Sequence, residues 1–145
     1  MLNGCHVKYF INTVSKDHVM IGKQDKIVQA GHGKKAPLQK LHNNDFVIFY
    51  SPKTSLSGGK PLQAFTAVAK IIDDKIYQVS ISETFKPFRM KAEYLNCSET
   101  PIRPLIDDLE FIENKKSWGF KFRFGFFEIN ESDFNLIMTR MDAAQ

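Results

Sequence analysis

An apolar run, Phe46-Val47-Ile48-Phe49-Tyr50, stops at Ser51-Pro52, and a second apolar run resumes at Leu62. β-Branched and aromatic residues in a short run bounded by Pro and Gly read as a strand. The segment between the two runs is rich in Ser, Lys and Gly. Such a loop cannot bury a core, but it offers hydroxyls, ammonium groups and free backbone N–H groups at a sheet edge. This part of the chain is thereby committed to paired strands with a polar, ligand-capable connection.

The rest of the chain extends the same pattern. Strands are expected over residues 7–14, 26–30, 62–72, 76–81 and around 90–95. Ser15 stands where a helix N-cap belongs, before a short helix closed by Gly22. Pro37 opens a helical turn, and a short helix is expected at Leu105–Leu109. At the end, Phe134, Ile137, Met138 and Met141 follow i, i+3, i+4, i+7 spacing over residues 131–141. Asn130, with Asp133 three residues on, imitates a capping box for that helix. Several strands with short helices between them predict one compact α+β domain over residues 1–145, its sheet curled into a partial barrel.

Composition narrows the function classes. A chain of 145 residues with 43% hydrophobic content can bury a core. No apolar run approaches the ~20 residues of a membrane helix, and no charged segment followed by an apolar one marks a secretory signal; a cytoplasmic location without membrane association is expected. Cys5 and Cys97 are too few and too far apart for a disulfide framework. Cys5-His6 lacks the further ligands a tetrahedral metal site needs, so neither metal nor cofactor is expected. The charge is uneven: residues 1–62 hold nine lysines against three aspartates, and all four histidines, whereas the remainder is slightly acidic. That asymmetry favours an anionic partner over a merely solvated lysine-rich surface.

Catalytic templates find no match. There is no Gly-x-Ser-x-Gly elbow and no His-Glu-x-x-His. Gly58-Gly59-Lys60 lacks the Ser or Thr a phosphate-binding P-loop needs after its Lys. Asp107 and Asp108 are adjacent on an expected helix and so point in different directions. No catalytic residue is assigned.

Three segments carry binding chemistry instead. In His32-Gly33-Lys34-Lys35, glycine lets the backbone approach a ligand while the flanking residues supply charge and hydrogen bonds; an exposed loop with a solvated lysine pair has the same composition. Phe120-Lys121-Phe122-Arg123-Phe124, after Trp118-Gly119, alternates as a strand with aromatics on one face and cations on the other. Stacking and phosphate pairing would use both faces, although core packing is the ordinary fate of such phenylalanines. Phe85-Lys86-Pro87-Phe88-Arg89 places two aromatics beside cations in an expected loop.

These segments occur in a particular order. YFINTVSKDHV at residues 9–19 is followed by HGKKAPL, the strand end YSPK, PLQAF, KPFR, IRPL and WGFKFRFGFFEI. The ordered set resembles the EVE domain, a member of the PUA-like family related to the YTH readers of methylated adenine. The resemblance spans essentially the whole chain. It implies a PUA-like, curved, mainly antiparallel β-barrel with short flanking helices, and a non-catalytic module that binds a modified base in RNA or DNA. On that resemblance Asn12, Thr13, Ser15 and Lys16 would line the pocket, and His32, Gly33 and Lys34 would form a neighbouring wall. Tyr50, Ser51, Pro52 and Lys53 would form the rim, with Phe85, Arg89, Trp118 and Arg123 adding stacking and phosphate contacts. Tyr50 and Trp118 are expected beside one concave site, within reach of Ser15 and His32. One departure stands out: where YTH readers and some EVE relatives have a tryptophan just after the first helix, this chain reads Val28-Gln29-Ala30-Gly31-His32, so the aromatic cage is incomplete in its usual form. Two other classes remain open. The ASCH branch of the PUA-like folds includes ribonucleases, for which His18, His32 or Lys53 could serve as acid or base, and a free nucleotide or small molecule could replace the polymer.

Overall fold

β1 (Tyr9–Thr13) lies between two neighbours of opposite sense. It runs parallel to β3 (Phe46–Lys53), with Thr13 opposite Tyr50, and antiparallel to β8 (Phe126–Ile129). A parallel pair needs a crossover. That crossover comprises α1 (Lys16–Asp25), β2 (Ile27–Val28) and α2 (Lys35–Leu38). The computed structural model describes residues 6–143, so Cys5 lies outside the described residues.

The remaining strands are β4 (Pro61–Ile71), β5 (Tyr77–Gln78), β6 (Phe88–Tyr94) and β7 (Thr100–Pro101), and α3 (Glu131–Arg140) ends the fold. The sheet has eight strands in the order β2-β6-β4-β3-β1-β8, with β5 on β6 and β7 on β4. β1–β3 is its one parallel pairing among the described strands, so the sheet is mixed but mainly antiparallel, curled into a half-barrel. The expectation of a PUA-like α+β fold is met.

β3 is buried on both faces because each face carries its own apolar cluster. Ile48 and Tyr50 join Ile11, Phe65, Phe122 and the α3 residues Phe134, Ile137 and Met138. Val47 and Phe49 join Phe10, Val19, Val28, Leu38 and Met90 on the other face. α3 is capped as expected: the Asp133 amide donates to Asn130 Oδ1 at 2.8 Å. The Asp133 carboxylate, itself buried, turns away from the cap and accepts from the Glu110 and Phe111 amides at 2.8 and 2.9 Å. It thereby ties the 103–112 segment to the helix.

Four local expectations need correction. α1 continues through Gly22 to Asp25 and ends at Lys26, which adopts the left-handed conformation. The expected strand over 76–81 shortens to Tyr77–Gln78. In place of a helix at Leu105–Leu109 there is a 3₁₀ turn over Arg103–Leu105. Phe120–Phe124 is a 3₁₀ turn too. Its amides are satisfied within the segment, with Phe122 N donating to Gly119 O and Gly125 N to Phe122 O at 3.2 and 3.1 Å. A three-residue repeat replaces the two-residue one, so Phe122 points inward while Phe120 and Phe124 face solvent.

Candidate functional site

The parallel pairing of β1 and β3 brings the loops that follow both strands to one end of the sheet. Val14 N donates to Tyr50 O and Asp17 N to Thr54 O, each at 3.0 Å. Asn12, Thr13, Ser15 and Lys16 therefore sit beside Tyr50, Ser51, Pro52 and Lys53. Within that group the side chains have different tasks. Ser15 Oγ donates to Asp17 Oδ1 at 2.6 Å and accepts from no helix amide, and this bond lowers the Asp17 pKa. Lys16 Nζ pairs with Glu99 at 2.7 Å. Ser51 is fully buried with its Oγ 2.8 Å from Thr66 Oγ1, which places it inside the sheet, whereas Lys53 is exposed. Thr13 Oγ1 is buried without a hydrogen-bond partner among the described residues. A buried orphan hydroxyl costs about 1–3 kcal/mol and is a group a ligand can satisfy.

A second wall comes from the turn after β2. Asn12 Nδ2 donates to Gln29 O at 2.8 Å, and Arg89 Nε donates to Gln29 Oε1. Gly31, His32 and Gly33 then follow with φ of 55°, 60° and 87°. Glycine adopts this left-handed region freely; an exposed histidine held there is strained, and such strain concentrates at functional sites. The turn is held by Gly33 N to Ala30 O and Phe88 N to Gly33 O at 3.0 and 2.9 Å. Gly33 has no alternative at its position, because a Cβ there would lie 2.5 Å from Pro87 Cβ and 3.4 Å from the Phe85 ring. The ring of Phe85, 41% exposed, thus flanks His32-Gly33, with Lys34 beside them and Lys35 Nζ 5.9 Å over the Phe88 ring. An exposed aromatic ring, an exposed histidine and two exposed lysines thus occur within this turn and its Pro87 contact, with Arg89 tied to its start.

Tyr50 lies near the end of β3 beside this group but turns into the interior, and Trp118 and Arg123 lie elsewhere. Tyr50 is only 2% exposed and stacks on Phe122 at 4.0 Å. Burial pushes its hydroxyl pKa up to about 12, against the opposing influence of Arg103. Arg103 also lies 5.5 Å above the Trp118 ring and donates to Gln63 Oε1 at 3.1 Å. Trp118 borders a depression of about 180 Å³ together with Phe111, Phe120, Lys121 and Phe124. Arg123 lies over the Phe120 ring on the same turn. A larger, shallower depression of about 420 Å³ runs along Tyr9, Glu128 and Glu131. Asn12, Ser15, His32 and Tyr50 line neither. Residues 12–16, 29–34, 50–53, 85 and 89 are thus gathered at the strand ends, while Trp118 and Arg123 occupy a separate turn. Gln29, which joins Asn12 to Arg89, was missed by sequence reasoning, and no local pattern marks it.

Comparison with known proteins places this geometry in context. Over 132 residues the chain is 52% identical to a UPF0310 protein of Mycolicibacterium vanbaalenii, covering 91% of each. Solved structures of YTH domains share the fold at 14–15% identity. One is the YTH domain of Zygosaccharomyces rouxii MRB1 in complex with N6-methyladenosine RNA, with a TM-score of 0.63 over 97% of this chain and 90% of that one. Another is the Pho92 YTH domain in complex with m6A, at 0.59 over 100% and 92%. The EVE domain model matches residues 8–140, from just before β1 to the end of α3, and with that match the chain belongs to the EVE family.

Proposed function

We propose that this protein is a non-catalytic reader that holds a modified base of RNA or DNA against the face formed by Gln29, His32, Gly33, Phe85 and Arg89, with the buried Asn12 behind it. The observation that carries the reading is the left-handed Gly31-His32-Gly33 turn, clamped between the Asn12–Gln29–Arg89 chain of hydrogen bonds and Pro87. It occurs on a fold whose solved YTH examples hold N6-methyladenosine.

The division of labour follows from the chemistry of the groups. The Phe85 ring and the His32 imidazole stack on the base or flank it. The polar groups of the turn from Gln29 to Gly33, positioned by the buried Asn12, meet its edge, where a hydrogen bond to a site built for it discriminates strongly. Lys34, Lys53 and Arg89 pair with phosphates, so affinity falls with salt with a slope near −0.7 per phosphate contacted on a single strand. Lys16 joins them when a phosphate displaces Glu99 from its exposed ion pair, a small cost for a pair of this kind. A base taken from its stack costs a few kcal/mol, which one aromatic stack at about 1–3 kcal/mol and two edge bonds offset.

The test is fluorescence anisotropy with labelled oligonucleotides, matched in sequence and differing in one modified base, followed by recovery of the probe. Tighter binding of one modified probe, lost in Asn12→Ala and His32→Ala, and recovery of that probe intact support the reader. Cleavage that disappears in His32→Ala would assign a ribonuclease instead, and equal binding of all probes would remove base recognition.

A further inference from the structure

Residues 114–127 contain four cations, Lys115, Lys116, Lys121 and Arg123, and no acidic residue. The same stretch leaves Phe120 and Phe124 58% and 62% exposed, their rings meeting edge to face at 5.8 Å. Lys121 Nζ lies 5.7 Å from the Phe124 centroid, and the Arg123 guanidinium 5.8 Å from that of Phe120. Beside them the half-buried Trp118 and Phe111 border the depression of about 180 Å³. That volume is below the ~300 Å³ at which small-molecule pockets begin, and it suits the edge of one flat ring.

The core does not require this arrangement. Phe122 alone fills the inward position of the turn, so the two outer rings are surplus to packing. Lys115 is committed to the carbonyls of Ile106 and Leu109 at 3.0 and 2.9 Å, but Lys121 and Arg123 stand over the exposed rings. Aromatic faces interleaved with cations suit single-stranded nucleic acid, whose bases stack and whose phosphates pair with the charges. A purely apolar protein partner would leave those charges desolvated and unpaired.

From this juxtaposition we propose that the Trp118–Phe124 turn is a second stacking platform, which holds unpaired bases neighbouring the recognised one on the same strand. The proposal rests on the nucleic-acid reading of the first site but uses different residues, so the two can fail separately.

Trp118 is the chain's one tryptophan, and its fluorescence reports on the turn. The full chain and a Phe120→Ala/Phe124→Ala variant are titrated with two probes: a trinucleotide centred on N6-methyladenosine and a ten-nucleotide single strand with the same centre. Both substitutions are at exposed positions, so the fold tolerates them. The expected result is quenching of Trp118 by the ten-mer and a ten-mer affinity that falls about tenfold for each stacked base lost in the variant, with trinucleotide affinity unchanged. Quenching by the ten-mer without trinucleotide binding also supports the platform and counts against N6-methyladenosine as the recognised base. Equal affinities of wild type and variant for the ten-mer, with the trinucleotide still bound, overturn the platform and leave the first reading standing. Failure of the wild type to bind the ten-mer overturns the platform, and failure to bind either probe also removes N6-methyladenosine as the recognised base. Sedimentation as a dimer that the variant abolishes would show that a second copy covers the rings, and that too overturns the proposal.

Discussion

Gly33→Ala is the substitution that most sharply probes how the His32 turn is held. At φ of 87°, a side chain at position 33 enters the left-handed region, which costs about 1–2 kcal/mol. Its Cβ would also lie 2.5 Å from Pro87 Cβ and 2.8 Å from Pro87 Cα. Neither atom belongs to a flexible chain end, so the β5–β6 connection must shift, at the roughly 1–3 kcal/mol typical of overpacking. The expected loss is therefore about 2–5 kcal/mol in urea denaturation. Gly31→Ala is the control. Its φ of 55° carries the same conformational penalty, but its Cβ would meet nothing nearer than Pro37 Cγ at 3.4 Å. It should cost about 1–2 kcal/mol only. The assay compares both variants with wild type, by denaturation midpoint and by affinity for a modified oligonucleotide, and Gly33→Ala should lose binding as His32 and Phe85 separate. Equal destabilisation by the two variants would refute the close approach of the turn to Pro87 and with it the architecture of the wall.

Two further outcomes concern stability. Asp133→Ala removes the buried carboxylate that accepts from Glu110 N and Phe111 N; with two amides left unpaired, the expected loss is roughly 3 kcal/mol by urea denaturation. The alkaline limb of the stability curve is set by tyrosines: burial raises the Tyr50 pKa from 10.0 to about 12 and that of Tyr94, whose hydroxyl donates to Ile27 O, further still. Because the folded values are raised, stability is complete below pH 10 and declines above it by about 1.4 kcal/mol per pH unit for each tyrosine until its folded pKa is reached. Denaturation midpoints between pH 9 and 11 check this, and Tyr94→Phe should flatten the decline.

The sequence was most legible where a segment's own periodicity decides its structure. α3 was readable from Phe134, Ile137 and Met138, and its cap from Asn130, because helix period and capping are local properties. β3 and β4 were readable because long apolar runs have few other fates. The turn at 118–124 was not, since alternation of Phe with Lys and Arg says which faces a strand would have, not whether a neighbouring strand exists. With no partner available, hydrogen bonds to the third residue back satisfied the backbone. The same limit applies to the site. His32-Gly33, Asn12 and Arg89 were each conspicuous, but the Gln29 link to Arg89 spans 60 residues and depends on β2 pairing with β6. Ser51 is a polar residue at a strand end by sequence; in the fold its hydroxyl is paired with Thr66 in the interior.

The central claim is that a modified base lies against the Gln29–His32–Phe85–Arg89 face. Amide chemical-shift mapping of isotopically labelled protein, titrated with N6-methyladenosine and with other modified nucleosides in turn, tests it most directly. The account predicts that one nucleoside shifts the amides of Thr13, Gln29, His32, Gly33, Phe85 and Arg89 together and that its unmodified parent shifts them less. Shifts confined to the depression along Tyr9, Glu128 and Glu131, or no shift at residues 29–33 with any nucleoside, would contradict it.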